Sequence, residues 1–214
     1  MTQHGVSHLE LTRRRHLKLA HQIAAHAAQM NFLLAADGLK TVARGNHIAD
    51  GSRNENSAEH SWHVALMAMV LAEYCPDPID LGHVLKLLIV HDLVEVYAGD
   101  TQIYNDEAVI GQADREARAA QMIFGLLQDD QELTFKELWR EFEEDQTAEA
   151  GFARAIDALA PTWLHWGDHS TARAEPLDSQ KILALKASRL ERYPALWEMM
   201  QQVVRSARQR GMIK

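Results

Sequence analysis

Apolar positions recur at three- and four-residue spacing along almost the whole chain, the period of an α-helix that buries one face. Leu17, Leu19, Ala20, Ile23, Ala24, Ala27, Met30, Leu33 and Leu34 predict a long amphipathic helix over 16–37, with Gly38 as its stop. Between Lys40 and Asn56 the period breaks, and Gly45, Asn46, Asp50, Gly51 and Ser52 supply turn residues. Ser57 is placed to cap a second helix with Trp62, Ala65, Leu66, Met69, Val70 and Leu71 as its apolar positions, punctuated by Pro76 and Pro78. A central helix follows from Leu81 to Ala98 and stops at Gly99-Asp100-Thr101. The next helix covers 106–127, with Glu107, Asp114, Glu116 and Arg118 outward and Met122, Ile123 and Leu126 inward. Gln131–Glu144 carries the stripe Leu133, Phe135, Leu138, Trp139 and Phe142. Thr147 then caps a helix through Ala150, Phe152, Ala155, Ile156, Leu159 and Ala160, with Pro161 near its end. Residues 166–177 read as a loop, and helices over 178–190 and 193–209 close the chain. No stretch alternates in the two-residue period of a half-buried strand, and there is no internal repeat. The pattern predicts an all-α protein with a polar segment over 1–15 and one helical domain over 16–214.

Composition narrows this little. A chain of 214 residues, 47% hydrophobic, is ample for one buried core. Its formal net charge of −8 gives no support to non-specific nucleic-acid binding, and Arg13-Arg14-Arg15 with Lys18 reads as a solvated helix face. Cys75 is the single cysteine, so no intrachain disulfide forms, and a reducing, cytoplasmic setting is the expectation. No run approaches the about 18 apolar residues of a membrane span. A homodimer is the default oligomer, from the prevalence of twofold assemblies.

The candidate chemistry sits in Leu87-Leu88-Ile89-Val90-His91-Asp92-Leu93-Val94-Glu95. Four apolar residues in a row have no solvent-facing side, yet they lead into a histidine, an aspartate and, one turn on, a glutamate. Buried polar groups must be paired or must hold a metal. On a helix, Glu95 stands over His91 and Asp92, so one cavity can receive all three. One face rarely supplies a full coordination shell, and two other residues are candidates. His60 lies in the first turn of its helix beside a polar loop. Asp157 interrupts the apolar stretch around Ile156 and Leu159. Together His60, His91, Asp92 and Asp157 make a mixed nitrogen and oxygen set suited to one divalent transition-metal ion (Mn, Co, Fe, Ni or Zn). Such a set leaves positions open on an octahedral ion, the mark of a catalytic rather than a structural site.

The order His60 … His91-Asp92 … Asp157 in a helical chain resembles the HD superfamily of metal-dependent phosphohydrolases, and the flanking residues resemble its 5′-deoxynucleotidase-like branch. Arg53-Asn54-Glu55-Asn56-Ser57-Ala58-Glu59-His60 is similar to the R-x-E-[NS]-x-[AS]-E-H entry of that branch. His91-Asp92-x-x-Glu95-x-x-x-Gly99-Asp100 is similar to its H-D-x-x-E-x-x-x-G-D signature, and Thr147-Ala148-Glu149-Ala150-Gly151-Phe152 … Asp157 echoes a later T-x-E-A-x-F…D pattern. The resemblance covers roughly residues 30–160. It implies an HD-type helical bundle with its metal-site core over 57–160, and an ion that activates water for attack on a phosphoryl group. Glu95 and Asp100 would then be the acid/base and substrate-ordering carboxylates, and Asp92 would help orient the water. Arg53 would contact phosphate or stand behind the metal ligands, and Arg44 stands where the branch has a further upstream arginine.

The implied function is a phosphomonoesterase on nucleoside or deoxynucleoside 5′-monophosphates. A phosphodiesterase or triphosphohydrolase on the same scaffold is the alternative, as is a non-catalytic helical module stabilised by its metal. Other residues have plainer readings. His63 is outward or stands behind the metal ligands rather than being one, and Glu59 is either a partner of the metal site or a first-turn acid favoured by the helix dipole. His165 and His169, four apart, read as loop residues rather than a second metal site. Trp62, Trp139, Trp163 and Trp166 read as core or interface aromatics.

Overall fold

The computed structural model describes residues 8–101, 110–167 and 177–214, with side chains from residue 14 onward. Its helices are α1 (His8–Asp37), α2 (Ser57–Leu71), α3 (Leu81–Val90), a short α4 (Glu95–Ala98), α5 (Gln112–Phe124), α6 (Asp129–Glu144), α7 (Ala148–Trp166), α8 (Ser179–Leu190) and α9 (Pro194–Gln209). This is the all-α single domain that the periodicity predicts, with one addition. Two short antiparallel strands, β1 (Ala43–His47) and β2 (Asn54–Asn56), occupy the turn-rich segment. Ala43 faces Asn56 and His47 faces Asn54, so β1 takes four steps against two and must bulge. Strands this short, polar and bulged leave no alternating pattern to read.

The core is organised around α7. Thr147 caps it by accepting from the Ala150 amide at 3.1 Å. Phe152, Ala153, Ala155, Ile156, Ala158, Leu159 and Ala160 are fully buried in it, the small alanines letting α2, α3, α8 and α9 pack closely. Pro161 lies inside this helix, which runs on to Trp166. Leu87 and Leu88 of α3 belong to the same core, with Ile182, Leu190, Leu196 and Met200. A second apolar cluster gathers Phe32, Leu39, Val90, Leu93, Val94, Ile123 and Phe124. The chain crosses from one cluster to the other at the His-Asp pair, so the candidate site lies on the seam between them.

Several expectations need correction. The central helix is not continuous: His91–Val94 is a 3-10 turn between α3 and α4. Asn56, not Ser57, caps α2. Its side chain accepts from the Glu59 amide at 3.0 Å, and the Glu59 carboxylate accepts from the Asn56 amide at 3.2 Å, a reciprocal capping box. The buried face of α2 is Ser57, His60, Ser61, Val64, Met67, Ala68 and Leu71, whereas Trp62 is 63% exposed and Leu66, Met69 and Val70 also face out. This helix is apolar on nearly every side, so spacing alone does not choose its inner face. The stripe of α1 is likewise outside: Leu17, Leu19, Ile23, Met30, Leu33 and Leu34 are exposed, and Phe32 anchors the helix edge-on against Phe135, with centroids 5.1 Å apart. Ile89, Met122 and Leu133 are exposed too, while Glu116 turns toward the cavity described below. The beginning of the helix expected from 106, and His169 with its loop, lie outside the described residues.

Candidate metal centre

His60, His91 and Asp157 arrive from three elements, α2, the 3-10 turn after α3, and α7, and each offers a ligand atom within 4.8 Å of the others. His60 comes in because it shares the inner face of α2 with Val64, Met67 and Leu71. His91 Nδ1 lies 2.7 Å from the Leu88 carbonyl. A carbonyl only accepts, so Nδ1 carries the proton and Nε2 presents its lone pair. That Nε2 is buried without a hydrogen-bond partner. It faces Asp92 Oδ1 at 3.1 Å and Asp157 Oδ1 at 3.8 Å, an acceptor turned toward two acceptors. With the ring neutral the arrangement is repulsive, and a cation, whether a proton or a metal ion, must sit among them to hold it. His60 Nε2 is 3.0 Å from the same Asp157 Oδ1, and its Nδ1 stands 3.4 Å from Glu55 Oε2. A carboxylate behind a histidine that aims its other nitrogen at a metal is a recurrent way of fixing tautomer and orientation. The donor set therefore fits a metal ion.

Charge in this pocket is tightly linked. Burial and Arg44 press the His60 imidazolium toward neutrality, but its hydrogen bond to Asp157 and the nearby Glu55 carboxylate prevail and hold its pKa up at about 9. Burial works to raise Asp157, yet His60 and His91 hold it well below the usual carboxylate range. Binding an ion must displace the His60 proton.

Around these ligands lies a cavity of about 350 Å³ with two unlike walls. The acidic wall comes from β1, the 3-10 turn and α4. Arg44 donates to Asp92 Oδ2 at 2.8 Å and stands 3.9 Å from Glu95 Oε1, 3.8 Å from Asp100 Oδ1 and, through Nε, 3.7 Å from Glu55 Oε2. Burial opposes its charge, but Asp92, Glu95 and Asp100 keep it protonated. Glu95 Oε2 accepts from Ser57 Oγ at 2.5 Å, and burial, with Asp92 nearby, raises its pKa to about 8. Asp100 accepts from the Gly45 amide at 3.2 Å, and burial raises it as well. The β1 bulge is what sets Arg44 and the Gly45 amide against these carboxylates.

The basic wall is Arg154 of α7 with Lys186 and Arg189 of α8. Arg154 is committed: it donates to the Phe142 carbonyl at 2.8 Å and lies over the Phe142 ring. Arg189 reaches Asp157 Oδ2 only at 4.0 Å. Lys186 is 6% exposed, and burial, opposed by Asp157, lowers its pKa to about 8.

The structure thus brings His60, His91, Asp157, Asp92, Glu95, Asp100 and Arg44 together, with Asp92 outside the tightest ligand group and turned to Arg44. Arg53 does not line the cavity; it forms a two-pronged pair with Glu59 at 2.7 and 2.8 Å on the surface. His63 is not in the site either. His165 is buried in α7, where its Nδ1 accepts from the His47 amide at 3.3 Å. Glu55, Ser57 and Lys186 went unnoticed in the sequence. Lys186 leaves a visible trace there, since Ile182, Lys186 and Leu190 fall four apart on the buried stripe of α8.

Comparison with known proteins agrees with the fold and the family. A family profile described as the HD domain matches residues 36–197. The chain is 30% identical over 137 residues to human 5′-deoxynucleotidase HDDC2, covering 63% of this chain and 66% of that protein. It is 29% identical over 132 residues to 5′-deoxynucleotidase hdd1 of Schizosaccharomyces pombe, covering 59% and 65%. These alignments span just under two thirds of the relatives' own lengths. Among solved structures, a protein of Magnetospirillum magnetotacticum MS-1 named a predicted metal-dependent phosphohydrolase superposes with a TM-score of 0.76 at 38% identity, covering 89% of this chain and 98% of that one. The PH0347 protein of Pyrococcus horikoshii shares the fold, with a TM-score of 0.60 at 24% identity over 83% and 99% of the two chains.

Proposed function

The chain belongs to the HD-domain family, and we propose that it is a metal-dependent phosphomonoesterase acting on nucleoside or deoxynucleoside 5′-monophosphates. The observation that carries this reading is the buried, partnerless Nε2 of His91 facing Asp92 and Asp157, with His60 beside them, at the edge of a cavity large enough for a small metabolite. His60, His91 and Asp157 would hold the ion, with Asp92 completing the set. A bound divalent ion supplies a water made acidic enough to attack phosphorus near neutral pH, and it neutralises charge on the phosphoryl oxygens.

The chain's own residues supply the rest. Glu95, with its pKa at about 8, is protonated at neutral pH and able to give a proton to the departing 5′-oxygen. Ser57 and Arg44 hold the Glu95 carboxyl in place, and Arg44 also fixes Asp92. Asp100, tethered to the Gly45 amide, is placed to order a sugar hydroxyl. The names of the curated relatives, 5′-deoxynucleotidases, support the choice of a nucleotide. No described helix is long and apolar enough to cross a membrane. A homodimer in a reducing, cytoplasmic setting completes the proposal, on the single free cysteine and the prevalence of twofold assemblies, and light scattering checks the dimer.

Phosphate release from a panel of phosphate esters tests the function, using metal-stripped protein reconstituted with Mn, Co, Fe, Ni, Zn or Mg. Release confined to 5′-monophosphates, dependent on the ion and absent in His91→Ala, is the expected result. Turnover of diesters or triphosphates alone would move the activity elsewhere on the scaffold. An ion that raises the melting temperature without turnover of any ester would make the protein a metal-stabilised binding module.

A further inference from the structure

The three cations of the basic wall differ in how far their hydrogen-bonding capacity is used. Arg154 is tied to the Phe142 carbonyl, with Glu143 Oε2 at 3.4 Å. Arg189 has Asp157 Oδ2 at the 4.0 Å limit of an ion pair. Among the described residues Lys186 has neither a hydrogen bond nor an ion pair, although it is buried, lines the cavity, and stands on the inner stripe of α8 between Ile182 and Leu190. Its stem is buried while the amine opens on the cavity; burial disfavours the charge, and an anion bound in the cavity restores it. Lysine is also the residue with three donors on a flexible stem, suited to a point-charge contact with an anion.

Placement says which anion. Asp157 turns Oδ1 to His60 and His91 and Oδ2 to Arg189, so the metal ligands and the basic wall share one carboxylate. Among the described residues the acidic wall holds one cation, Arg44, which donates through Nη1 to Asp92 and is flanked by Glu55, Glu95 and Asp100; its Nε has no hydrogen bond and faces Glu55 at 3.7 Å. The four carboxylates around Arg44 repel an anion, so the cations left to one beside the metal ligands lie on α8.

We propose that Lys186, assisted by Arg189 one turn on, is the seat for the phosphoryl oxygens of the substrate and makes the cavity select a terminal, dianionic phosphate; the inference deepens the phosphomonoesterase reading and rests on it for the substrate. A phosphomonoester presents its unsubstituted oxygens to this wall. A diester carries one charge fewer and must set an uncharged alkoxy group against the ammonium or turn away from it. The nucleoside then extends along the rest of the cavity, whose lining includes Thr101, Gln112 and Glu116.

The test is binding of inorganic phosphate to the metal-loaded full chain, measured by calorimetry for the wild type, Lys186→Met and Lys186→Arg, with metal content and melting temperature recorded for each. Methionine keeps the length and burial of the stem and removes the charge. Lys186→Met is expected to weaken phosphate binding on the order of tenfold to a hundredfold, the worth of one hydrogen bond to a charged group. Lys186→Arg should keep most of the affinity. Lys186→Met should hold its metal and, in the absence of phosphate, melt above the wild type, because an unpaired buried charge is gone. It should also narrow the preference for p-nitrophenyl phosphate over its bis-ester. Unchanged phosphate affinity in Lys186→Met overturns the proposal, and so does loss of the metal, which would make Lys186 a support for Asp157. The two readings fail separately. Lysine-dependent phosphate binding without nucleotide turnover leaves the anion seat and removes the nucleotidase. Turnover with phosphate binding indifferent to Lys186 does the reverse.

Discussion

The two walls of the cavity are built from the same kinds of side chain and stand in opposite states. On the acidic wall the one cation is surrounded by carboxylates, and Glu95 and Asp100 each accept from a neighbour. On the basic wall Lys186 has no partner among the described residues and Arg189 scarcely one. Satisfied buried charges fix a geometry, whereas an unsatisfied one marks where something else must bind. The acidic wall is therefore read as machinery held in position, and the basic wall as a surface waiting for an anion. Each wall can be attacked on those terms.

The largest effect is expected on the acidic wall. Glu95→Gln keeps the shape and the Ser57 contact but cannot hand over a proton. It should retain the ion and lose on the order of 10²–10⁴-fold in kcat, the usual contribution of a general acid. Measured metal content decides the matter: loss of the ion along with the rate would make Glu95 a structural group. Arg44→Met comes next. It leaves Asp92, Glu95 and Asp100 buried without their cation, and breaking a buried pair costs about 3–5 kcal/mol. The metal-stripped protein should show that loss in full by chemical denaturation, and the metal-loaded protein less of it, because the ion then supplies positive charge beside Asp92. An equal loss with and without metal would mean that Arg44 and the ion do not share the same carboxylates.

Acidity separates the two states of the pocket more gently. In metal-free folded protein His60 is held at about 9 against an ordinary 6.5, so its contribution to stability is complete below 6.5 and is lost as pH rises through 9. Glu95, raised to about 8 from 4.5, acts in the same sense: its neutral form is favoured by the fold, and stability declines as pH climbs from 4.5 toward 8. Asp157 is held low and adds stability that disappears only on acidification. The metal-free chain should accordingly be less stable at pH 9 than at pH 6.5. Ion affinity should rise over the same interval, since the His60 proton is displaced on binding. Melting curves and metal titrations across that range check both slopes. A metal affinity independent of pH would mean that His60 is already neutral.

How much of this was legible in the sequence follows from how each residue meets its surroundings. His91-Asp92 could be read because two polar residues end an apolar run, and Asp157 because it interrupts one. The 3-10 turn at His91–Val94 carries no glycine or proline to announce it, and the break comes from tertiary packing on the seam between two clusters. The inner face of α2 was misread because Trp62, Leu66, Met69 and Val70 make the outer face as apolar as the inner one. Starting from His60 instead would have given His60, Val64, Met67 and Leu71, the correct stripe. Lys186 was legible on the same logic as Asp157, a charge at a stripe position between Ile182 and Leu190, but nothing in the chemistry of His-Asp pairs draws attention to it. Strands β1 and β2 had no pattern at all, and with them the placement of Arg44 was beyond reach of spacing arguments.

The smallest effect is expected at Arg53, where sequence and structure part most. The resemblance to the branch signature assigns Arg53 to the substrate phosphate, yet here its guanidinium is spent on Glu59 at the start of α2, in the open, and it is absent from the cavity lining. Exposed ion pairs contribute little, because water and salt screen them and two long side chains must be held still. If the pair only secures the capping box, Arg53→Ala should leave KM for a 5′-monophosphate and kcat within a few fold of wild type, and salt should shrink what difference there is. If Arg53 instead leaves Glu59 to clamp a bound phosphate, KM should rise sharply in Arg53→Ala while Glu59→Gln, which frees the guanidinium, lowers it. Opposite movements of KM in those two variants would shift the phosphate seat from α8 to the entry of α2, and matched, small movements would leave it where the buried lysine stands.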